Sequence, residues 1–92
     1  MNMKYFDWDI EKNKKLKKER GVSFEEVALM LKKEDVLDLL DHPNQKKYPG
    51  QQIFIVKIRG YCFMVPFAED EEKYFLKTII PSRKATKKYD KI

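Results

Sequence analysis

The sequence predicts an α+β domain in which two helices cover one face of a small antiparallel sheet. Three observations carry that expectation. Phe24, Val27, Ala28 and Leu31 stand at i, i+3, i+4 and i+7, the apolar stripe of one helix face. The second half holds β-branched and aromatic runs parted by short turn signals. At 92 residues the chain has room for one domain, 1–92, so both halves must share one core. A chain this short buries only roughly two-thirds of the surface its unfolded form exposes. Its hydrophobic fraction of 42% is enough for such a core.

The elements follow in order. Residues 4–9 read as a short strand that runs into a helix cap, with Asp7 or Asp9 taking the first free N–H groups. Residues 10–19 favour helix, with Ile10 and Leu16 as almost the only apolar anchors. Gly21 ends that helix, because a left-handed residue closes a helix and glycine adopts that conformation without strain. Ser23 and Glu26 form a capping box for the second helix, Val22 staples onto its first turn, and the helix runs to about Lys33. Residues 35–40 suit a strand or a short helix equally. His42-Pro43 and Tyr48-Pro49-Gly50 are turn signals. Strands are expected at 52–58, 61–67 and 74–80, with Arg59-Gly60 as the first tight turn and 69–72 as an acidic one. Pro66 has no N–H for a ladder, so it belongs at a strand end or a bulge. A basic tail follows Pro81, either helical or extended. Trp8 is expected to anchor the first helix, and Cys62 to be a small residue of the core.

Twenty Lys plus Arg against fifteen Asp plus Glu leave a net charge of +5. The 38% charged fraction exceeds the usual ~25%. An anionic partner is favoured: nucleic acid, a membrane surface or an acidic protein. Cys62 is the single cysteine and His42 the single histidine, so no disulfide framework, CxxC pair or histidine pair exists. The three glycines are isolated, which leaves no phosphate-cradling loop. No apolar run nears the ~20 residues of a membrane span, and the first residues lack a signal peptide's apolar stretch. A cytoplasmic protein without metal or cofactor, and without membrane contact, is expected.

Certain strings are more specific. Trp8-Asp9, Lys12-Asn13 and Gly21-Val22-Ser23-Phe24-Glu25-Glu26 open the chain, and Arg83-Lys84-Ala85-Thr86 with a later Tyr89 closes it. This order resembles the BrnT family of toxins from type II toxin–antitoxin pairs, over about residues 5–89. Glu19-Arg20 stands where that family usually has Lys-His, Lys77 where it often has Arg, and Pro81-Ser82-Arg83 where it has Ser-Ala-Arg. The resemblance implies a RelE-like fold and an RNA-cleaving toxin restrained by an antitoxin, the two joined in a hetero-oligomer. The alternative is a non-catalytic basic module of the same fold that binds RNA or protein.

Metal-free RNA cleavage must take a proton from the 2′-OH, stabilise a pentavalent phosphorane and protonate the 5′-oxygen. With one histidine, much of that work falls to cations, arginine being able to clasp phosphate with two parallel bonds. Arg83, just past the last strand, is the first candidate for phosphate stabilisation, against the bland reading of a tail arginine. Lys77 is a phosphate clamp or proton donor, or else an edge lysine that protects the sheet. Tyr89 is placed to stack on a base or give a proton, or to pack the tail. Arg59 reaches RNA or is a solvated turn residue. His42 is the single acid or base, or bonds to its own turn. Lys14, Lys15, Lys18 and Arg20 on the first helix, with Lys84, Lys87 and Lys88 in the tail, form the expected RNA-steering or antitoxin-covered surface.

Overall fold

The computed structural model describes residues 4–89; Met1 to Met3 and the end of the basic tail, Asp90 to Ile92, lie outside them. The elements run β1 (Tyr5–Asp7), α1 (Ile10–Arg20), α2 (Phe24–Lys32), β2 (Asp38–Asp41), β3 (Gln52–Ile58), β4 (Tyr61–Glu69), β5 (Lys73–Leu76), β6 (Ile80–Pro81) and α3 (Arg83–Lys88). The sheet order is β1-β5-β4-β3-β2, with β6 also paired to β4. The α+β class holds, but three features correct the expected form. β1 runs parallel to β5, Tyr5 opposite Lys73, so the sheet is mixed and not antiparallel. The tail forms a third helix, α3, on the sheet face away from α1 and α2. The expected strand at 74–80 breaks into β5 and β6. The ambiguous stretch at 35–40 yields the edge strand β2, antiparallel to β3.

The local chemistry of the two long helices explains their ends. Asp9 caps α1 by accepting from the Lys12 N–H at 2.9 Å. Gly21 closes α1 at φ 68°, its N–H donating to the Lys17 carbonyl at 3.1 Å. Ser23 caps α2 by accepting from the Glu26 N–H at 3.2 Å. The reciprocal half of the expected capping box is not made, because the Glu26 carboxylate pairs with Arg59 at 2.8 Å. Asn13 supplies a cap that the sequence reading did not assign. It is buried, accepts from the Phe24 N–H at 2.8 Å and donates to Glu25 Oε1 at 2.7 Å. It thus fills an orphan donor at the start of α2 from the body of α1.

Asn13→Ala should therefore leave the Phe24 N–H buried and unpaired, a loss of about 1–3 kcal/mol. Urea titration is expected to show a lower midpoint at an unchanged slope. A midpoint equal to that of the unsubstituted chain would contradict this role for Asn13.

The core has two layers. On one face Leu16, Val22, Phe24 and Val27 of the helical hairpin pack on Val56, Ile58, Phe63, Val65, Phe67 and Leu76. Trp8 joins this layer, stacked on Phe24 with ring centroids 5.8 Å apart. On the other face Ala85 and Tyr89 cover Ile53, Ile55 and Cys62. The alternation along β3 and β4 that assigns residues to the two faces is the period of two of a strand.

The break between β5 and β6 has a visible cause. β4 advances three residues from Phe67 to Met64 while its partner advances four, from Leu76 to Ile80. One extra residue is thus accommodated, which is a β-bulge. The Pro66 carbonyl accepts from the Lys77 N–H at 2.8 Å. A strand residue aims its N–H and C=O at the same neighbour, so the donor proline lacks would have faced this segment. The ladder loses a bond there, and the chain bows out at Thr78 and Ile79. Arg20 secures the bow, its Nη1 donating to the Ile79 carbonyl at 2.6 Å.

Candidate functional site

The bulge opens a cleft of about 330 Å³. Its walls come from four parts of the fold: Lys12 of α1, the loop that joins β2 to β3 (His42, Tyr48, Gln51), Pro66 of β4, and Lys77, Thr78 and Ile80 of the broken strand. Two cations and an imidazole face the space, and no carboxylate lines it. A smaller hollow of about 180 Å³ adjoins it through Lys12 and Thr78 and adds Lys15, Leu16, Glu19 and Arg20. The two form a mainly cationic groove across the sheet edge. Lys77 is exposed, with its ammonium 5.6 Å from the Phe75 ring centroid.

The loop behind His42 is knit by short-range bonds. The His42 N–H donates to the Gln51 carbonyl at 2.9 Å. Gln45 Nε2 donates to the His42 and Gln51 carbonyls at 2.8 and 3.0 Å, and Gln45 Oε1 accepts from the Gly50 N–H at 3.0 Å. The Asn44 N–H donates to His42 Nδ1 at 3.1 Å. Nδ1 is therefore an acceptor, which puts the proton of the neutral ring on Nε2. The expected bond of His42 to its own turn is present, and it leaves Nε2–H as the free donor.

Of the residues proposed for catalysis, the structure brings together His42 and Lys77 and places Arg59, Tyr89 and Arg83 elsewhere. Arg59 sits in the two-residue turn between β3 and β4 at φ 49°, beside Gly60 at φ 83°. Its guanidinium bonds to Glu26 and to the Gly21 carbonyl, which ties the hairpin to the α1–α2 corner. Tyr89 is buried and its hydroxyl donates to the Asp38 carboxylate, which docks α3 against β2. Arg83 opens α3, exposed and without an ion pair or side-chain hydrogen bond among the described residues. Of the expected RNA-steering set, Lys15 and Arg20 line the smaller hollow. Arg20 also holds the bulge. Lys14 is 3.6 Å from Glu11, and Lys18 is exposed in the last turn of α1. Lys84 and Lys88 rim a separate groove with Leu40, Ile55 and Met64 beneath them, and Lys87 is exposed on α3.

Tyr48, Gln51 and Thr78 belong to the cleft but are not singled out by the sequence, which marks Lys12 only as one lysine of the cationic first helix. Tyr48 carried one usable signal. The span from His42 to Gln51 is longer than a tight turn requires and falls in the size range of compact surface loops, which are frequently functional.

The Asp38–Tyr89 contact has a pH signature. The Tyr89 hydroxyl holds the Asp38 carboxyl below its usual value, helped by the Leu39 N–H. The same bond, with burial, pushes the Tyr89 phenol up. A lowered carboxyl contributes stability that is present above its unfolded pKa and lost as pH falls through the folded one. A raised phenol contributes stability that is present below its unfolded pKa and lost as pH rises through the folded one. The melting-temperature gap between the unsubstituted chain and Asp38→Asn should thus be widest near neutrality. It should close below about pH 4 and above about pH 10. A gap that stays constant across that range would show that the pair's charge does not matter.

Chemically, the cleft suits an oxyanion carried on a larger body: cations for charge, the His42 Nε2–H as a donor, and apolar contact at Pro66 and Ile80. Among the described residues no group of three His, Cys, Asp or Glu side chains gathers to hold a metal ion. No helix among them is long and apolar enough to cross a membrane. A family model described as the ribonuclease toxin BrnT of the type II toxin–antitoxin system matches residues 8–88. Comparison with curated proteins and with solved structures returned no match.

Proposed function

The chain belongs to the BrnT family of type II toxin–antitoxin ribonuclease toxins, and from that premise we propose that it cleaves RNA at the bulge cleft, without metal, under restraint by a cognate antitoxin. One observation carries the placement: Lys12, His42 and Lys77, from three distant parts of the chain, share a cleft that no carboxylate lines. Phosphate is the ligand such a wall favours. In the reaction the 2′-oxygen attacks the adjacent phosphorus as its proton passes to solvent. The phosphorane's negative charge builds between Lys12 and Lys77, and the 5′-oxygen leaves and is protonated. The Nε2–H of His42 is the donor available to the reacting oxygens. Arg83 is the further candidate for phosphate contact, since its guanidinium has no partner among the described residues.

The antitoxin is proposed to lay acidic and apolar residues over the cationic surface, giving a toxin–antitoxin hetero-oligomer. Such a contact weakens with salt. The cytoplasm, where RNA and antitoxin meet, is the proposed place of action. The test is incubation of the purified chain with a defined RNA in excess EDTA, with and without ribosomes and with and without the antitoxin. Cleavage in EDTA that the antitoxin abolishes is the expected result. A folded chain that binds RNA and never cleaves it would instead establish the non-catalytic binding module.

A further inference from the structure

The cleft also holds an aromatic pair that phosphate chemistry leaves unused. The His42 and Tyr48 rings lie 4.4 Å apart, tilted by 37°. Both are half-buried and both line the cleft. Gln45 and Asn44 hold the loop that carries them, so the rings are set before any ligand arrives. Gln51, whose amide can both donate and accept, lines the same wall. Lys47 stands over the Tyr48 ring with its ammonium 5.4 Å from the centroid, and Lys46 beside it is exposed. A preset aromatic surface and an amide in one recess, with exposed cations beside them on the same loop, are the parts of a single-strand nucleic-acid platform.

Building on the ribonuclease reading, we propose that the 42–51 loop is a nucleobase subsite, in which one unpaired base of single-stranded RNA stacks on the His42–Tyr48 pair beside Gln51. The adjoining phosphates then lie towards Lys77 and Lys12 on one side and Lys46 and Lys47 on the other. At about 330 Å³ the cleft is at the small end of ligand pockets, which run from roughly 300 to 1,000 Å³. It admits one nucleotide out of the stack and not a base pair. The loop thereby selects unpaired RNA and sets which nucleotide borders the phosphate held by Lys77.

The test uses a short 2′-O-methyl RNA, which binds but lacks the attacking hydroxyl, read by fluorescence anisotropy as a single strand and as a duplex. The unsubstituted chain is expected to prefer the single strand. Tyr48→Leu keeps apolar bulk but loses the ring, and should weaken single-strand binding roughly ten- to a hundredfold. Tyr48→Phe should bind like the unsubstituted chain. The salt dependence should keep its slope in Tyr48→Leu, because the phosphate contacts are unchanged. Melting curves for each variant show that the loop is still folded. Tyr48→Leu binding as tightly as the unsubstituted chain, a preference for duplex, or no RNA binding at all overturns the subsite. Cleavage of ordinary RNA, run in parallel, separates the two ideas. A chain that cleaves but ignores Tyr48→Leu removes the subsite alone. A chain that binds through Tyr48 and never cleaves removes the ribonuclease reading and leaves the subsite standing.

Discussion

Replacing Lys77 with alanine should slow RNA cleavage about 100- to 1000-fold, the usual loss when one preorganised charge donor to a transition state is removed. The fold should be nearly indifferent. The side chain is exposed, and the bond that matters to the bulge uses the Lys77 backbone N–H, which alanine retains. Surface changes of this kind shift stability by about half a kcal/mol. Lys77→Arg should retain much of the rate by keeping the charge. Arg83→Ala, measured beside it, asks whether α3 supplies a second phosphate contact. A loss of similar size is expected there too, with Arg83→Lys rescuing only partly, since it keeps charge but not the planar two-pronged grip. The measurement is the initial rate on a defined RNA, with melting temperatures recorded in parallel. If Lys77→Ala cleaves at the unsubstituted rate and Arg83→Ala does not, the phosphate lies against α3 and not in the bulge cleft.

The largest stability effect is expected from Phe24→Ala. Phe24 is fully buried, sits between the helical hairpin and the sheet, and stacks on Trp8. Truncating a core phenylalanine costs about 3–5 kcal/mol. Small domains hold only about 5–15 kcal/mol in total, so a large share of the margin would go. In a chain of this size each kcal/mol lowers the melting temperature by about 4–8 °C. Urea unfolding followed by Trp8 fluorescence should show a much lower midpoint. A loss under about 1.5 kcal/mol would mean that the hairpin does not depend on this contact.

The legible parts of the fold were those written in local chemistry. The Phe24–Leu31 stripe, the Ser23 cap, the Gly21 stop and the β-branched run at 52–58 each specify an element from a few neighbouring residues. Pro66 also announced a bulge or a strand end, because a missing N–H is visible in the sequence. What lay hidden was long-range. Nothing in Tyr5-Phe6-Asp7 says that it will lie parallel to Lys73–Leu76. Nothing in Arg20 distinguishes a steering cation from one that clasps the Ile79 carbonyl. Glu26 looked like half of a capping box, and a distant arginine won its carboxylate. The candidate site divides the same way. His42 follows from residue type and Lys77 from the family resemblance, yet only the bulge and the strand order bring them to one wall. Lys12 was one lysine in a charged helix, and Tyr48 one residue in a turn signal. Their shared cleft is a property of topology.

The most direct test of the central claim is the chemistry of the cut ends produced in excess EDTA. The proposed attack by the 2′-oxygen, without metal, at the cationic cleft predicts a 5′-hydroxyl on one fragment. The other fragment should carry a 2′,3′-cyclic phosphate or the phosphate formed from it. Fragments ending in 5′-phosphate and 3′-hydroxyl, or cleavage that appears only when a divalent cation is restored, would contradict the account.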